Sequence, residues 1–514
     1  MTNILIGIGG TGAKVLEAAV TLFTAGLGPE EAHIGIIDQD HANGNVNRTQ
    51  ARLTALQRFQ RIWGDRRSAS AIDWSGGSAN PDRLELARVR VQQLFGDTAL
   101  WFPQGDDLSL SNIIGQDLSQ QQRDLFDLLF MPGEEEQDLR LGEGYRGRAH
   151  VGAAALVASM LDDHNPLLRT LDELMEKVTG GEPVRIFLVG SAFGGTGAAG
   201  FPTLARELHR IRSRPEFKNK DMVSIGGALM LPYFGFARPD EEGQPVVTTD
   251  ELLPKARLAL EYYGRLFETE KTFDSFYVLG WNPLYNLGYH RAGNYEQRNP
   301  PLLPELFAAT AAVDFFGRVQ EKRETRTVPV MLSARSDRGI RWSDLPLPDV
   351  EQKLGQLIRF CAYWLHITEP LLARSSYWKK SGNWTQALRG KLRVVDNEAE
   401  LEALRRVATD VLTWAANLQR TAREGWVPGL WNLDYMIDRS HDATPTEPVL
   451  LAPAVAEPER AFNHLVRADN GEPHPFLADQ VYETLLHPGP DLTAGDHAGY
   501  GRVVAAAYRA VGKR

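Results

Sequence analysis

Cysteine is almost absent, with Cys361 the only one in 514 residues. A disulfide within the chain needs two, and a cysteine-rich zinc site needs several, so both are excluded. Scarce thiols fit a reducing compartment. Long hydrophobic runs are missing as well. No stretch reaches the ~18 uninterrupted apolar residues of a membrane span. Met1 to Leu27 is largely apolar, but it has no basic leader, and Lys14 and Glu17 interrupt it. It does not read as a signal peptide. We therefore expect a soluble, cytoplasmic protein. Positive charge is not in excess either. Fifty-six basic against sixty-six acidic residues leave a net charge of −10, which argues against a general nucleic-acid or anionic-membrane binder. The sequence has no internal repeat and no sustained heptads. What remains is ordinary globular material, 43% hydrophobic and 24% charged. At ~150 residues per domain the length suits roughly three.

Asn3 to Ile8 is a short apolar run closed by glycine, which predicts a buried parallel strand. Ala13 to Leu27 predicts a helix, and His33 to Ile37 a second strand. Residues 45 to 140, with Gly76-Gly77, Asn80-Pro81 and the acidic run Glu134 to Glu136, read as helical and loop insertions. Val184 to Val189 is the clearest buried strand, followed by a helix at about Phe201 to Arg212. Met222 to Leu231 and Phe276 to Leu279 predict two more strands. Strands alternating with helices predict an α/β fold, a Rossmann-like parallel sheet covered on both faces.

Beyond about residue 335 the spacing turns helical. Seven of the eleven tryptophans lie between Trp342 and Trp431 and are expected to fill a helical core. We expect a nucleotide-binding domain over 1–335 and a helical domain over 336–438. A linker at 439–460 and an extension over 461–514 with a terminal helix complete the organisation.

Two glycine-rich segments stand between a strand and a helix. Gly7-Ile8-Gly9-Gly10-Thr11-Gly12 fits G-x-G-x-x-G. Glycine lets a phosphate approach the backbone, and a helix start offers free N–H groups and partial positive charge. A tight turn without a ligand is the other reading. It is not a Walker A loop, because Ala13-Lys14-Val15 follows Gly12 where Lys and a hydroxyl residue are required. Asp38 and Asp40 stand at the end of the second strand, where a dinucleotide site keeps an acidic residue, or where either forms a turn. Gly194-Gly195-Thr196-Gly197 is the second segment. One Rossmann site uses one such segment, and two suggest two walls around one polyphosphate.

The second segment, Phe193-Gly194-Gly195-Thr196-Gly197-Ala198-Ala199-Gly200-Phe201-Pro202, resembles the tubulin/FtsZ signature G-G-G-T-G-S/T-G. The strand end Leu231-Pro232-Tyr233-Phe234 resembles the "KPF" of FtsZ, Asp38-Gln39-Asp40 its "NTD" loop, and Gly147-Arg148-Ala149-His150-Val151-Gly152 its "NPEVG" stretch. Gly7 to Gly12 is similar to the first phosphate loop of that family. The order of these landmarks over residues 1 to 235 points to the divergent bacterial tubulin-like proteins. The resemblance implies a GTP-binding α/β domain, a central helix matched by Leu302 to Val319, a smaller C-terminal domain, and head-to-tail assembly with itself. It implies GTP or GDP with Mg2+, held by Gly9, Gly10, Thr11, Gly12, Lys14, Asp38, Asp40, Arg148, Gly194, Gly195, Thr196, Gly197 and Asn282. Lys14, where FtsZ has asparagine, meets a phosphate or faces solvent.

Hydrolysis in the family needs an acidic loop from the next subunit. Gly339 to Leu345 is similar to the FtsZ stretch "NVDFADV", with Asp344 at the second aspartate and Arg341 at the first. Asp344 is then either the group that activates water or a turn cap. Three functions follow: a slow, assembly-dependent GTPase, a scaffold of the same fold that does not hydrolyse nucleotide, or an NAD(P)-dependent oxidoreductase built on Gly7 to Gly12 and Asp38. Protein partners other than itself would meet the 45–140 insertion or the C-terminal region.

Overall fold

Strand β1 (Thr2–Ile8) has every residue buried, as do β5 (Val184–Ser191) and β6 (Val223–Met230). A strand covered on both faces favours a near-continuous apolar run over alternation, and these three segments supply it apart from Thr2, Asn3, Arg185, Ser191 and Ser224. β1 lies between β2 (Glu31–Ile37) and β5, parallel to both, so that Ile6 sits opposite Gly35 on one side and Leu188 on the other. β6 pairs in parallel with β5 and with β8 (Ser275–Leu279), and β8 with β10 (Pro329–Leu332). The eight-stranded order is β10-β8-β6-β5-β1-β2-β3, where β3 is Arg90–Gln93, with β4 (Leu100–Trp101) paired to β2. Two short strands, β7 (Phe234–Gly235) and β9 (Tyr285–Asn286), form a separate parallel pair.

In the computed structural model the described residues are 1–64, 85–162, 164–214, 217, 219–236, 249–270, 272–287, 299–318, 329–332, 340–370, 398–423, 429–438, 440, 449–452, 458–470, 472, 478–487 and 500–512. They divide into two compact units. One is Met1–Ala19, Glu31–Ala51 and Val91–Arg335, and the other is Val20–Glu30, Arg52–Arg90 and Ser336–Arg514.

Helices cover the sheet of the first unit. α1 (Gly9–Thr24) starts four residues earlier than the predicted Ala13, and α7 (Gly195–Arg212) six earlier than Phe201. The glycine segments are therefore first helical turns rather than loops ahead of the helices. α5 (Ala149–Ser159) packs on α7. α9 (Leu303–Gly317) lies on β5, β6 and β8 and is buried along nearly its whole length, close to the span expected of a central helix.

Region 45–140 departs from the expectation of helices and loops alone. It holds α2 (Gly44–Gly64), α3 (Leu110–Ile113) and α4 (Gln120–Leu129), but also β3 (Arg90–Gln93) and β4 (Leu100–Trp101), which join the main sheet. Their shortness hid them. Arg90, Gln92 and Gln93 are only partly buried and give no apolar run.

The second unit is helical beyond residue 340, with α10 (Val350–Tyr363) and helices at Glu398–Arg423, Pro458–Asn463, Ala478–Leu486 and Tyr500–Gly512. Trp342, Trp364, Trp414 and Trp431 are buried in its core, and Trp431 lies 5.9 Å from both Trp342 and Trp414. The other three tryptophans of that stretch and most of the 439–460 linker lie outside the described residues. Among the described residues no helix is long and apolar enough to cross a membrane.

Candidate functional site

β1 and β5 are parallel neighbours, and each runs directly into a glycine-led helix. Both helix starts therefore lie at the same end of the sheet, the end where open α/β sheets bind ligands. They touch. A Cβ built on Gly9 would lie 3.0 Å from the Gly197 nitrogen and 3.5 Å from Thr196 Cβ, and Gly9 has φ of +74°. Any larger residue at Gly9 would strain the backbone and push the helix starts apart. A Cβ on Gly12 would lie 2.6 Å from the Gly7 carbonyl carbon and 2.9 Å from Val189 O. Gly12 is thus fixed by packing of the chain on itself, and it does not line the cavity described below.

Asp38, just beyond β2, ties the second glycine segment to the end of β2. Its Oδ1 accepts from Thr196 Oγ1 at 2.9 Å and from the Gln39 nitrogen at 2.8 Å, and its Oδ2 accepts from Asn43 Nδ2 at 2.9 Å. The carboxyl is buried, and burial, aided by nearby Asp40, pushes its pKa up to about 7. Asp40 is half-buried and accepts from the Ala42 nitrogen at 3.0 Å.

Residues 143–147 close the site from a third side. Asp40 bridges to Glu143, and a Cβ on Gly144 would lie 3.2 Å from Asp40 Cβ. Tyr145 is buried, and its hydroxyl has no hydrogen-bond partner among the described residues. Burial and the Asp38 charge push that phenol well above its ordinary range. Arg146 has φ of +43° and is ion-paired with Glu143.

These parts enclose a cavity of about 170 Å³ lined by Gly9, Gly10, Thr11, Lys14, Asp38, Asp40 and Gly194 to Gly197, with Tyr145 on its wall. The first N–H groups of a helix have no acceptor inside the helix. The first turns of α1 and α7 both present such groups here, with the positive ends of two helix dipoles. Asn45 and Asn299 also line the cavity, and the Oδ1 of each is buried without a hydrogen-bond partner among the described residues.

Lys14 does not face solvent and instead lines the cavity. It is 2% exposed, and its Nζ lies 2.5 Å from Glu305 Oε1. Tyr233 donates to the same oxygen at 2.8 Å, and the Leu302 nitrogen to Oε2 at 2.8 Å. Burial pushes the lysine down and the glutamate up, and each opposes the shift of the other. Lys14 forms the cavity wall with its charge matched.

No family model, curated protein or solved structure matches this chain.

The remaining sequence candidates lie elsewhere. Arg148 precedes α5 without a side-chain capping bond, its Nε lies 3.5 Å from Glu136 Oε1, and it lines a larger neighbouring cleft rather than this cavity. Asn282 is exposed in the turn after β8 and is not among the cavity's lining residues. Asp344 belongs to the second unit, in a short turn Trp342–Asp344, where its Oδ2 accepts from the Arg341 nitrogen at 2.8 Å. Gly339, at the head of its motif, lies outside the described residues. Among the described residues no group of three or more His, Cys, Asp or Glu is placed to hold a metal ion.

Sequence reasoning missed Asn43, Tyr145 and Glu305. An Asx turn signal at Asp40 to Asn43 was available for the first. Tyr145 and Glu305 act over sequence distances that no local pattern reports.

Proposed function

We propose that the chain is a tubulin/FtsZ-like nucleotide-binding protein, taking GTP or GDP with Mg2+ at the paired starts of α1 and α7. It assembles head-to-tail with itself and hydrolyses GTP slowly. One observation carries the binding part: two glycine-led helix starts from adjacent strands meet around one cavity. Backbone N–H groups and two dipoles stabilise anionic oxygens without a side-chain cation. That suits a site where Lys14 is already matched by Glu305 and Arg146 by Glu143. The cavity is smaller than the ~300–1,000 Å³ of whole-ligand pockets. It has the scale of a phosphate chain, with the nucleoside extending out of it. Asn45 and Asn299 then offer their orphan oxygens to sugar or base donors. Mg2+ is commonly held by one or two carboxylates plus phosphate oxygens, and half-buried Asp40 is the carboxylate to join it. When bound, the ion supplies charge neutralisation between the phosphates.

The NAD(P) reading loses support because Asp38 is buried and engaged with Thr196, Gln39 and Asn43, which leaves it no reach to a ribose hydroxyl. The scaffold that binds but does not hydrolyse gains support from one observation. Asp344 already caps its own turn, which is a sufficient structural role.

The test begins with denaturing the purified protein and identifying any released nucleotide. Thermal shift with GTP, GDP and NAD follows, together with phosphate release and negative-stain microscopy at rising protein concentration. Stabilisation by GTP with release per subunit that climbs with concentration is the expected result. Stabilisation without release at any concentration selects the scaffold. No response to GTP refutes the site.

A further inference from the structure

A strained turn stands against the nucleotide cavity. The Arg148 nitrogen donates to the Tyr145 carbonyl at 2.8 Å, which closes a tight turn. Its two central residues both lie in the left-handed region, Arg146 at φ +43° and Gly147 at φ +75°. Such a turn favours Asn-Gly, because a side chain other than Asn or Asp crowds the backbone at positive φ. The other non-glycine residues with positive φ among the described residues, Asp117 and Asp349, are of that tolerant kind. Arg146 is not. The turn also touches the start of α7, since a Cβ on Gly195 would lie 3.1 Å from the Gly147 nitrogen. Glu143, Arg146 and Gly147 all line the cavity. The chain thus tolerates local strain where it sets a guanidinium on the cavity wall, and strain of this kind persists at ligand clamps.

The ion pair with Glu143 does not use up Arg146. Its Nη2 pairs with Glu143, while its Nε is buried with no hydrogen-bond partner among the described residues. A guanidinium carries several N–H donors in a fixed fork, so one carboxylate leaves donors over. The pair is also weak, because the two side chains are 27% and 41% exposed. Phosphate oxygens fit the same fork with bidentate, charge-assisted bonds. A buried donor without an acceptor is unfavourable until a ligand brings one.

We propose that Arg146 is a phosphate-binding residue that Glu143 holds in reserve. In the empty site Glu143 balances the guanidinium. An incoming phosphate chain takes the Nε donor and competes with Glu143 for the rest of the fork. The inference rests on the nucleotide reading above, and it adds a side-chain cation to the backbone N–H groups of α1 and α7 once the site fills. Glu143 is then an internal competitor, so removing it tightens binding only while Arg146 is present.

The experiment is isothermal titration with inorganic tripolyphosphate and with GTP, beside melting temperatures of the empty proteins. Arg146→Asn relieves the turn and loses only an exposed ion pair, so its melting temperature is expected to match or exceed that of the wild type. Its affinity for both ligands is expected to fall about ten- to a hundredfold. Glu143→Gln is expected to tighten binding several-fold, and the gain to vanish in the double variant Glu143→Gln, Arg146→Asn. Undiminished affinity in Arg146→Asn overturns the inference and leaves the nucleotide site standing. Lost affinity with a lowered melting temperature makes Arg146 a structural residue and overturns it too. A gain from Glu143→Gln that persists without Arg146 reflects relieved repulsion alone and overturns the exchange. A wild type that binds neither ligand refutes the site itself, and this inference with it.

Discussion

Replacing Asp38 by asparagine removes a titrating carboxyl from the point where the end of β2 meets the start of α7. In the folded protein that carboxyl titrates at about 7 instead of 3.8. Its folded pKa is raised, so the folded state holds an extra proton between these values, and stability falls as pH rises through the window. Full ionisation costs roughly 4 kcal/mol at 1.36 kcal/mol per pH unit. Asparagine avoids that cost but turns an NH2 toward Asn43 Nδ2, which now donates to Asp38 Oδ2 at 2.9 Å. Losing that bond with a buried donor left over costs ~1–3 kcal/mol at every pH. The difference between wild type and Asp38→Asn should therefore change sign. The variant is less stable near pH 4, where the wild type has lost little, and more stable near pH 8, where the wild type carries the full cost. Urea midpoints at half-unit pH steps measure this directly. Other titrating groups cancel in the difference, because both proteins share them. Parallel stability curves over pH 4 to 8.5 would refute the buried, proton-holding role of Asp38.

Three further outcomes are expected. Lys14→Met strands the Glu305 carboxylate in the core and costs about 3–5 kcal/mol by denaturant titration; adding Glu305→Gln, which keeps an acceptor for Tyr233, recovers part of the loss, and equal stability of single and double variants counts against the pair. Gly10→Glu abolishes nucleotide-induced thermal shift and costs ~1–3 kcal/mol of stability, since its Cβ would lie 2.7 Å from the Asn43 amide that donates to Asp38, whereas Gly195→Glu lowers the melting temperature because its Cβ faces Tyr145 Cβ at 3.0 Å and the Gly147 nitrogen at 3.1 Å; an undiminished shift in Gly10→Glu would sink the phosphate assignment. Asp344→Ala loses about 1 kcal/mol as a cap and, under the hydrolysis proposal, keeps nucleotide affinity while phosphate release falls ~10²-fold; release at the wild-type rate leaves Asp344 a cap alone.

Much of the sheet was legible in the chain. Asn3 to Ile8, Val184 to Val189 and Met222 to Leu231 are short, mostly apolar runs broken only by Asn3, Arg185 and Ser224, the pattern of strands buried on both faces. Leu302 to Val319 was placed only by the resemblance as a match for a central helix, and the helix found there, α9, is buried along nearly its whole length. The glycines were visible too, but their location relative to the helices was not. Glycine has low helix propensity, so local preference places Gly9 to Gly12 and Gly195 to Gly197 before the helices. Tertiary packing sets the helix starts at Gly9 and Gly195 side by side, where a Cβ on residue 9 would lie only 3.0 Å from the Gly197 nitrogen.

The sequence by itself determined the long buried strands and the helices between them, the two glycine-rich segments and the tryptophan-filled helical region, since each rests on residues within a few turns of one another. Only the tertiary structure decided the site's wiring. Asp38 holds Thr196 across 158 positions. Lys14 turned from a free cation into half of a buried pair because Glu305 comes to it from the far end of the chain's first unit. Arg148 and Asn282 fell away from the cavity although their motifs align with it. Periodicity is written by whichever surface a segment buries, so it survives in local sequence. Which polar groups meet inside depends on how strands order in the sheet, and partners far apart in the chain leave no periodic mark on either segment.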